Sequence, residues 1–333
     1  MSPVSTLQIG FLPLLDCAPL VIARELGYFA AEGVSVELRK AQTWAQIREW
    51  LLSGQLEAAH MLITMPIQCT LGMESAKQQI DFAYTLNRRG NGIILGNALW
   101  NAGAKDAKGL AAYMQERSQE KLRFGVVFPR GTQEYFLRYW LAQAGLAVGD
   151  RISLVIIPPQ ELVGRLRKKE IEGFCVAEPW SRRAAASKLG RLVAESGTVL
   201  PGLADKVLAV KDSWHQAHAG EHARLLRALS RARLWLEDPA NQNEAVELLA
   251  SRRYVNTPKS VVEGALVEER ISREAAGPVP AGQGPDHPSP EHVRWYIDQM
   301  VRWSHLDIRI GRETDISRIC LGEFHREALL GLH

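Results

Sequence analysis

Cysteine is scarce and scattered. Cys17, Cys69, Cys175 and Cys320 form no CxxC pair and no zinc-ligand spacing, which argues against a disulfide scaffold or a structural zinc site and leaves free, mostly buried thiols as the expectation. No run of 18 or more apolar residues occurs, and the best stretch, around Ala58 to Met65, is short and carries His60, so no membrane span is expected. Neither sign of charge dominates: 40 Lys+Arg against 37 Asp+Glu leave +3, too little for direct nucleic-acid binding. The start, MSPVSTLQIGFLPLLDCAPL, lacks the basic segment, uninterrupted apolar core and small-residue cleavage site of an export signal, which points to the cytoplasm. Also missing are GxGxxG after a strand, GxxxxGKS/T, GxSxG and HExxH, so the common nucleotide, hydrolase and zinc signatures give no reason to expect an enzyme. No repeat of fixed period is visible.

What is present is the patterning of a globular α/β protein. At 333 residues, with 46% hydrophobic and 23% charged, the chain can build one large or two ordinary domains. LQIGFL (7–12), VSVELRKA (34–41) and Ala58 to Ile63 read as strands separated by helices over 19–29 and 46–52, with Gly27 ending the first helix. The same grammar restarts with strands at 122–129, 152–159 and 173–180, separated by helices at 132–144 and 160–168. Such alternation predicts parallel sheets with ligands at the carboxyl ends of the strands. A later strand, KVLAV (206–210), and a helical tract over 222–236 suggest that the chain returns to its first unit. The expectation is two lobes, 1–93 with 206–333 and 94–205, with a cleft between them. GPVPAGQGPDHPSP (277–290) reads as a surface loop without core residues. His215, His218 and His222 read as a solvated helix face rather than a metal site, and Arg227 and Arg231, four apart on one helical face, as solvated or part of a partner surface.

Trp, amide and Lys side chains at strand ends suit binding more than turnover. A buried oxyanion needs converging donors and one positive charge. Trp44 offers an indole N–H that can only donate, and Lys206, at the start of a strand, a compact ammonium.

Six blocks then carry a resemblance: Gly10 to Phe29 with DCAPL, Thr43 to Pro66 with HML, Phe128 to Leu146, GFCVAEPW at 173–180, DKVLAV at 205–210 and WYIDQMVRW at 295–303. In order and over nearly the whole chain they resemble the solute-binding proteins of nitrate and bicarbonate ABC transporters. The resemblance implies the two-lobe, type II periplasmic-binding-protein fold and a ligand site in the interlobe cleft. Matched by motif, it implies ligand contacts from Trp44, Asn91, Gln133, Pro159, Val176, Ala177, Glu178 and Lys206. Two departures stand out: Gln133 where the family usually has His, and Arg130 where it has Gly.

Nitrate has three acceptor oxygens and no proton to donate, so a pocket of donors suits it. Bicarbonate needs an acceptor for its hydroxyl, and the bicarbonate branch pairs a carboxylate with calcium where the nitrate branch has Lys. Lys206 therefore implies nitrate or nitrite, with no metal and no cofactor. Without an export signal, the chain is similar to the cytoplasmic nitrate-sensor (NasS-type) branch, whose members hold an ANTAR-class RNA-binding antiterminator protein inactive until nitrate or nitrite binds. The alternative is a solute-binding receptor of a nitrate or bicarbonate transporter; a thiamine-precursor enzyme on the same fold is disfavoured, since only Cys175 lies near the relevant region. Trp44→Ala and Lys206→Glu are expected to abolish the anion response without unfolding the protein.

Overall fold

The structure is a computed structural model that describes residues 6–73, 76–88, 90–275 and 284–330. Its strands are, in chain order, β1 (Leu7–Phe11), β2 (Val36–Lys40), β3 (Ala58–Leu62), β4 (Ile80–Asn87), β5 (Asn91–Gly96), β6 (Leu122–Val126), β7 (Ile152–Ile156), β8 (Gly173–Ala177), β9 (Gly190–Glu195) and β10 (Lys206–Lys211). They form two five-stranded sheets, ordered β2-β1-β3-β10-β4 and β7-β6-β8-β5-β9. The chain divides into two compact units, Met1–Arg88 with Ala204–His333, and Arg89–Leu203. The expected break at 93 falls inside β5.

The expectation of parallel sheets holds for only part of each. β1 runs parallel to β2 and β3, and β6 parallel to β7 and β8. β10 is antiparallel to both β3 and β4, and β5 to both β8 and β9. In each sheet the antiparallel strand is the one with which the chain enters from the other unit, so no right-handed helical crossover sets its direction. β4, β5 and β9 escape sequence reading for a related reason. None of them alternates cleanly: β4 carries polar residues yet is buried over all but its last residue, and β9, GRLVAE, is buried only at its first.

Each sheet has its own core. In the first unit Ile9, Phe11, Leu20, Ile22, Tyr84 and Leu229 are among its members; in the second, Ile93, Phe124, Val126, Leu137 and Cys175. All four cysteines are free and buried. Gly27, at φ +73°, breaks the first helix, Ala18–Glu25, from the short Tyr28–Ala31, a left-handed turn that glycine adopts without strain.

Three surface readings need correction. The end of the Gly/Pro-rich segment is core: Asp286 and His287 are buried, Ser230 Oγ donates to Asp286 Oδ2 at 2.8 Å, and the Thr85 N–H donates to the Asp286 carbonyl at 2.8 Å. Arg88 adds bonds to the carbonyls of Pro285 (2.7 Å) and His287 (2.5 Å), while residues 277–283 lie outside the described residues. His215 and His222 are also buried, with Nδ1 atoms 3.0 Å apart. Burial holds the His222 imidazole down at about 3, so it stays neutral at ordinary pH, and only His218 is exposed, stacked on Trp214. Arg227 and Arg231 both pair with Glu32, at 2.7 and 3.2 Å; Arg231 stays exposed as read, whereas the half-buried Arg227 is tied to the first unit's own surface.

Asp81 on β4 is buried, and burial first, then the neighbouring Asp212 carboxylate, pushes its carboxyl up to about 7. A raised acid favours the folded state at low pH and loses that advantage as pH climbs from the unfolded value near 4 through 7. Asp81→Asn is therefore expected to raise stability at pH 8 by about 1–2 kcal/mol, with the gain fading toward pH 4. Urea unfolding at the two pH values measures it, and an equal change at both would show that titration of Asp81 is not the cause.

Candidate functional site

The first unit gathers one charged cluster. After β1 the chain makes a short 3-10 turn, Leu15–Cys17, which turns Asp16 into the interior. Asp205 and Lys206 open β10, and Lys206 lies opposite Leu62 of β3 and Asn87 of β4. Lys206 is 0% exposed; its Nζ pairs with Asp16 Oδ2 at 3.1 Å and, in closer contact, with Asp205. The other Asp16 oxygen lies 3.0 Å from His60 Nε2 on β3. Burial opposes charge on every member. For Asp16, the Lys206 and His60 neighbours outweigh burial and hold the carboxyl below its ordinary range; for Lys206, the two carboxylates outweigh burial and hold the ammonium above its own. The stabilisation from Asp16 is thus present above the unfolded carboxylate value and lost as pH falls through the lower native one.

Trp44 stands beside this cluster. Thr43 caps the helix Trp44–Leu52 by accepting from the Gln46 N–H at 3.1 Å, while Gln46 Oε1 accepts from the Gln42 N–H at 2.8 Å. This capping arrangement starts the helix two residues earlier than the expected 46 and puts Trp44 in its first position. The indole is buried, 5.8 Å from Lys206 Nζ and edge-on to His60 at 5.2 Å, and its Nε1 has no hydrogen-bond partner.

The second unit brings together the rest. Asn91 opens β5 opposite Ala177 of β8. Gln133, near the start of the helix Thr132–Ala142 that follows β6, donates Nε2–H to Asn91 Oδ1 at 2.8 Å; both are buried, and Gln133 Oε1 has no partner. Val176 and Ala177 end β8, Glu178 follows, and Pro159 is buried in the turn after β7. Burial raises the Glu178 carboxyl, countered by the nearby Ser181 hydroxyl and by Arg182 at 3.4 Å. Arg130 sits at φ +52°, and its N–H donates to Glu134 Oε2 at 2.7 Å. That left-handed backbone is one that glycine would favour.

The residues thus form two sets, Trp44 and Lys206 in the first unit and the remaining six in the second. Sequence reasoning missed Asp16, His60 and Asp205 as neighbours of Lys206. Their signals were present in DCAPL, in HML within a strand otherwise free of polar residues, and in the Asp-Lys step itself. Among the described residues no group of three or more His, Cys, Asp or Glu side chains is placed to hold a metal ion, and no helix is long and apolar enough to cross a membrane.

Two sheets with one strand order, each completed by an antiparallel strand, define a periplasmic-binding-protein fold. Residues 1–250 match the model of the NMT1-like family, and the chain belongs to that family. It is 30% identical over 352 residues to the nitrate/nitrite binding protein NrtA of Synechococcus elongatus, spanning 98% of this chain and 77% of the relative. It is 32% identical over 318 residues to the bicarbonate transport ATP-binding protein CmpC of the same species, spanning 94% of this chain but only 48% of that protein, about half its length. The crystal structure of the periplasmic nitrate-binding protein NrtA from Synechocystis superposes with a TM-score of 0.88 at 25% identity, covering 99% of this chain and 90% of that one.

Proposed function

We propose that this chain is a nitrate- or nitrite-binding protein, without catalytic activity, and that Trp44, Lys206, Asn91, Gln133, Pro159, Val176, Ala177 and Glu178 contact the anion. One observation carries the reading: the buried Trp44, whose indole N–H has no partner, has its ring centre 5.8 Å from the buried Lys206 ammonium, and both groups are donors suited to an ion that only accepts. Engagement of both Asp16 and Asp205 by Lys206 speaks against calcium there, since a divalent cation would compete with the ammonium for the same oxygens. Relatives named for nitrate binding support the same class.

In the finer reading, resting on the resemblance to the sensor branch, the protein acts in the cytoplasm and the bound anion shifts its population toward a form that releases an ANTAR-domain antiterminator. The relatives' names favour a second reading, a transporter's solute receptor. Thermal unfolding with nitrate, nitrite, chloride, or bicarbonate plus calcium tests the ligand. At 100 times the dissociation constant, binding adds about 2.7 kcal/mol and raises the midpoint by a few degrees. Nitrate and nitrite are expected to do so; a shift only with bicarbonate and calcium, or none, overturns the assignment. Co-elution with a purified antiterminator, lost on adding nitrate, supports the sensor; failure to associate in either condition favours the receptor.

A further inference from the structure

The charges around Lys206 do not suit a monoanion as they stand. One ammonium faces two carboxylates, so with a neutral His60 the buried cluster carries a net charge of −1. An anion arriving beside Trp44 and Lys206 would be taken out of water next to that excess. One group in the cluster can remove it. His60 is fully buried, its Nε2 lies 3.0 Å from Asp16 Oδ1, and neither ring nitrogen makes a hydrogen bond. With the proton on Nε2, the nitrogen nearest the carboxylate, Nδ1 carries a lone pair when the ring is neutral and a second N–H when it is charged.

The other charged or titratable groups close to this pair are few. Cys17 follows Asp16 in the turn after β1, its thiol pushed well up by burial and by the Asp16 carboxylate, hence neutral. Asp205 and Lys206 come from β10. The helix Trp44–Leu52 faces His60 with the neutral Trp44 ring. The next helix, Thr64–Leu71, contributes Cys69 and no charged residue. His60 is therefore the remaining ionisable side chain of this cluster, in contact with Asp16.

We propose that His60 is the proton-linked specificity residue of the anion site: nitrate or nitrite enters together with one proton, which lodges on His60. The protonated ring brings the cluster to zero net charge and turns Nδ1 from acceptor to donor. That state suits an ion without a hydrogen to give, whereas the neutral ring keeps an acceptor fit for a hydroxyl-bearing ligand such as bicarbonate. This inference rests on the nitrate or nitrite reading of the site.

Calorimetric titration of the full chain with nitrate and with nitrite, from pH 6 to 9 and in buffers of differing ionisation enthalpy, tests it. Linkage of one proton predicts that the dissociation constant weakens about tenfold per pH unit on its alkaline limb and that close to one proton is taken up per anion. His60→Gln should abolish both the slope and the uptake. Asp16→Asn, which removes the excess negative charge by another route, should flatten the slope too. Should these buried substitutions fail to fold, ring-nitrogen chemical shifts of His60 in the unaltered protein, with and without nitrate, show directly whether it gains the proton. Binding with no pH dependence and no uptake, a slope that persists in His60→Gln, or a ring unchanged by nitrate overturns the proposal while leaving the anion reading intact. Failure of both anions to bind at any pH overturns both.

Discussion

Lys206→Met is expected to destabilise the first unit by about 3–5 kcal/mol, because it strands two buried carboxylates that share one ammonium. The methylene stem is kept and only the charge is lost, so packing does not account for the effect. The deficit should be greatest near neutral pH and shrink on acidification, since unpaired buried carboxyls take up protons more readily. Adding Asp16→Asn should recover part of the loss, because these neighbours are coupled. Urea unfolding of the single and double variants measures this, and a Lys206→Met protein as stable as its parent would show that the cluster is not the buried ion network described. The same geometry revises the expectation for Lys206→Glu. That change would bury three carboxylates together, so loss of anion response there would report unfolding rather than a site.

Trp44→Ala is expected to lower stability by about 3–5 kcal/mol, whatever the indole does for a ligand, because it empties a large side chain that is only 1% exposed. The sequence-level expectation of a folded but unresponsive Trp44→Ala protein is therefore set aside. Trp44→Phe separates the two roles. It keeps much of the aromatic volume beside His60 and removes the Nε1–H together with two ring carbons, so stability should fall by about 1–2 kcal/mol, well short of the alanine variant, while nitrate affinity drops roughly 10- to 100-fold, the range for a hydrogen bond to a charged group. Unchanged nitrate affinity in a folded Trp44→Phe protein would assign Trp44 to packing alone.

Much of the α/β order was legible because period and punctuation agree: LQIGF, VELRK and AAHML alternate with helices whose caps and glycines are visible in the chain. The helix start at Trp44 was missed although Thr43 and Gln46 stand at capping spacing. What could not be read was anything dependent on return of the chain. Lys206 reads as a lone cation in sequence, and only the placement of β10 beside β3 brings it to Asp16, 190 positions earlier, through partners that no local pattern names. His215 and His222 looked solvated because their neighbours are polar, yet burial is decided by Phe324 from the last described helix, which packs against both rings. The segment near Pro285 reads as loop by composition, but its carbonyls and the Asp286 carboxylate are bonded to Arg88, Thr85 and Ser230.

The position of β10 also sets an order of events during synthesis. In its sheet β4 has β10 as its neighbouring strand, and beyond it the described residues add a bridge from Phe82 to Cys320 and the Thr85 bond to Asp286, both made with chain later than β10. A nascent chain that ends before residue 206 can pair β1, β2 and β3 but must leave β4 without any of these partners. The second unit, contiguous from 89 to 203, has every strand of its sheet by then. It is expected to fold first on the ribosome, while the unit begun earlier waits for its closing strand, holding an unsatisfied edge of the kind that chaperones recognise.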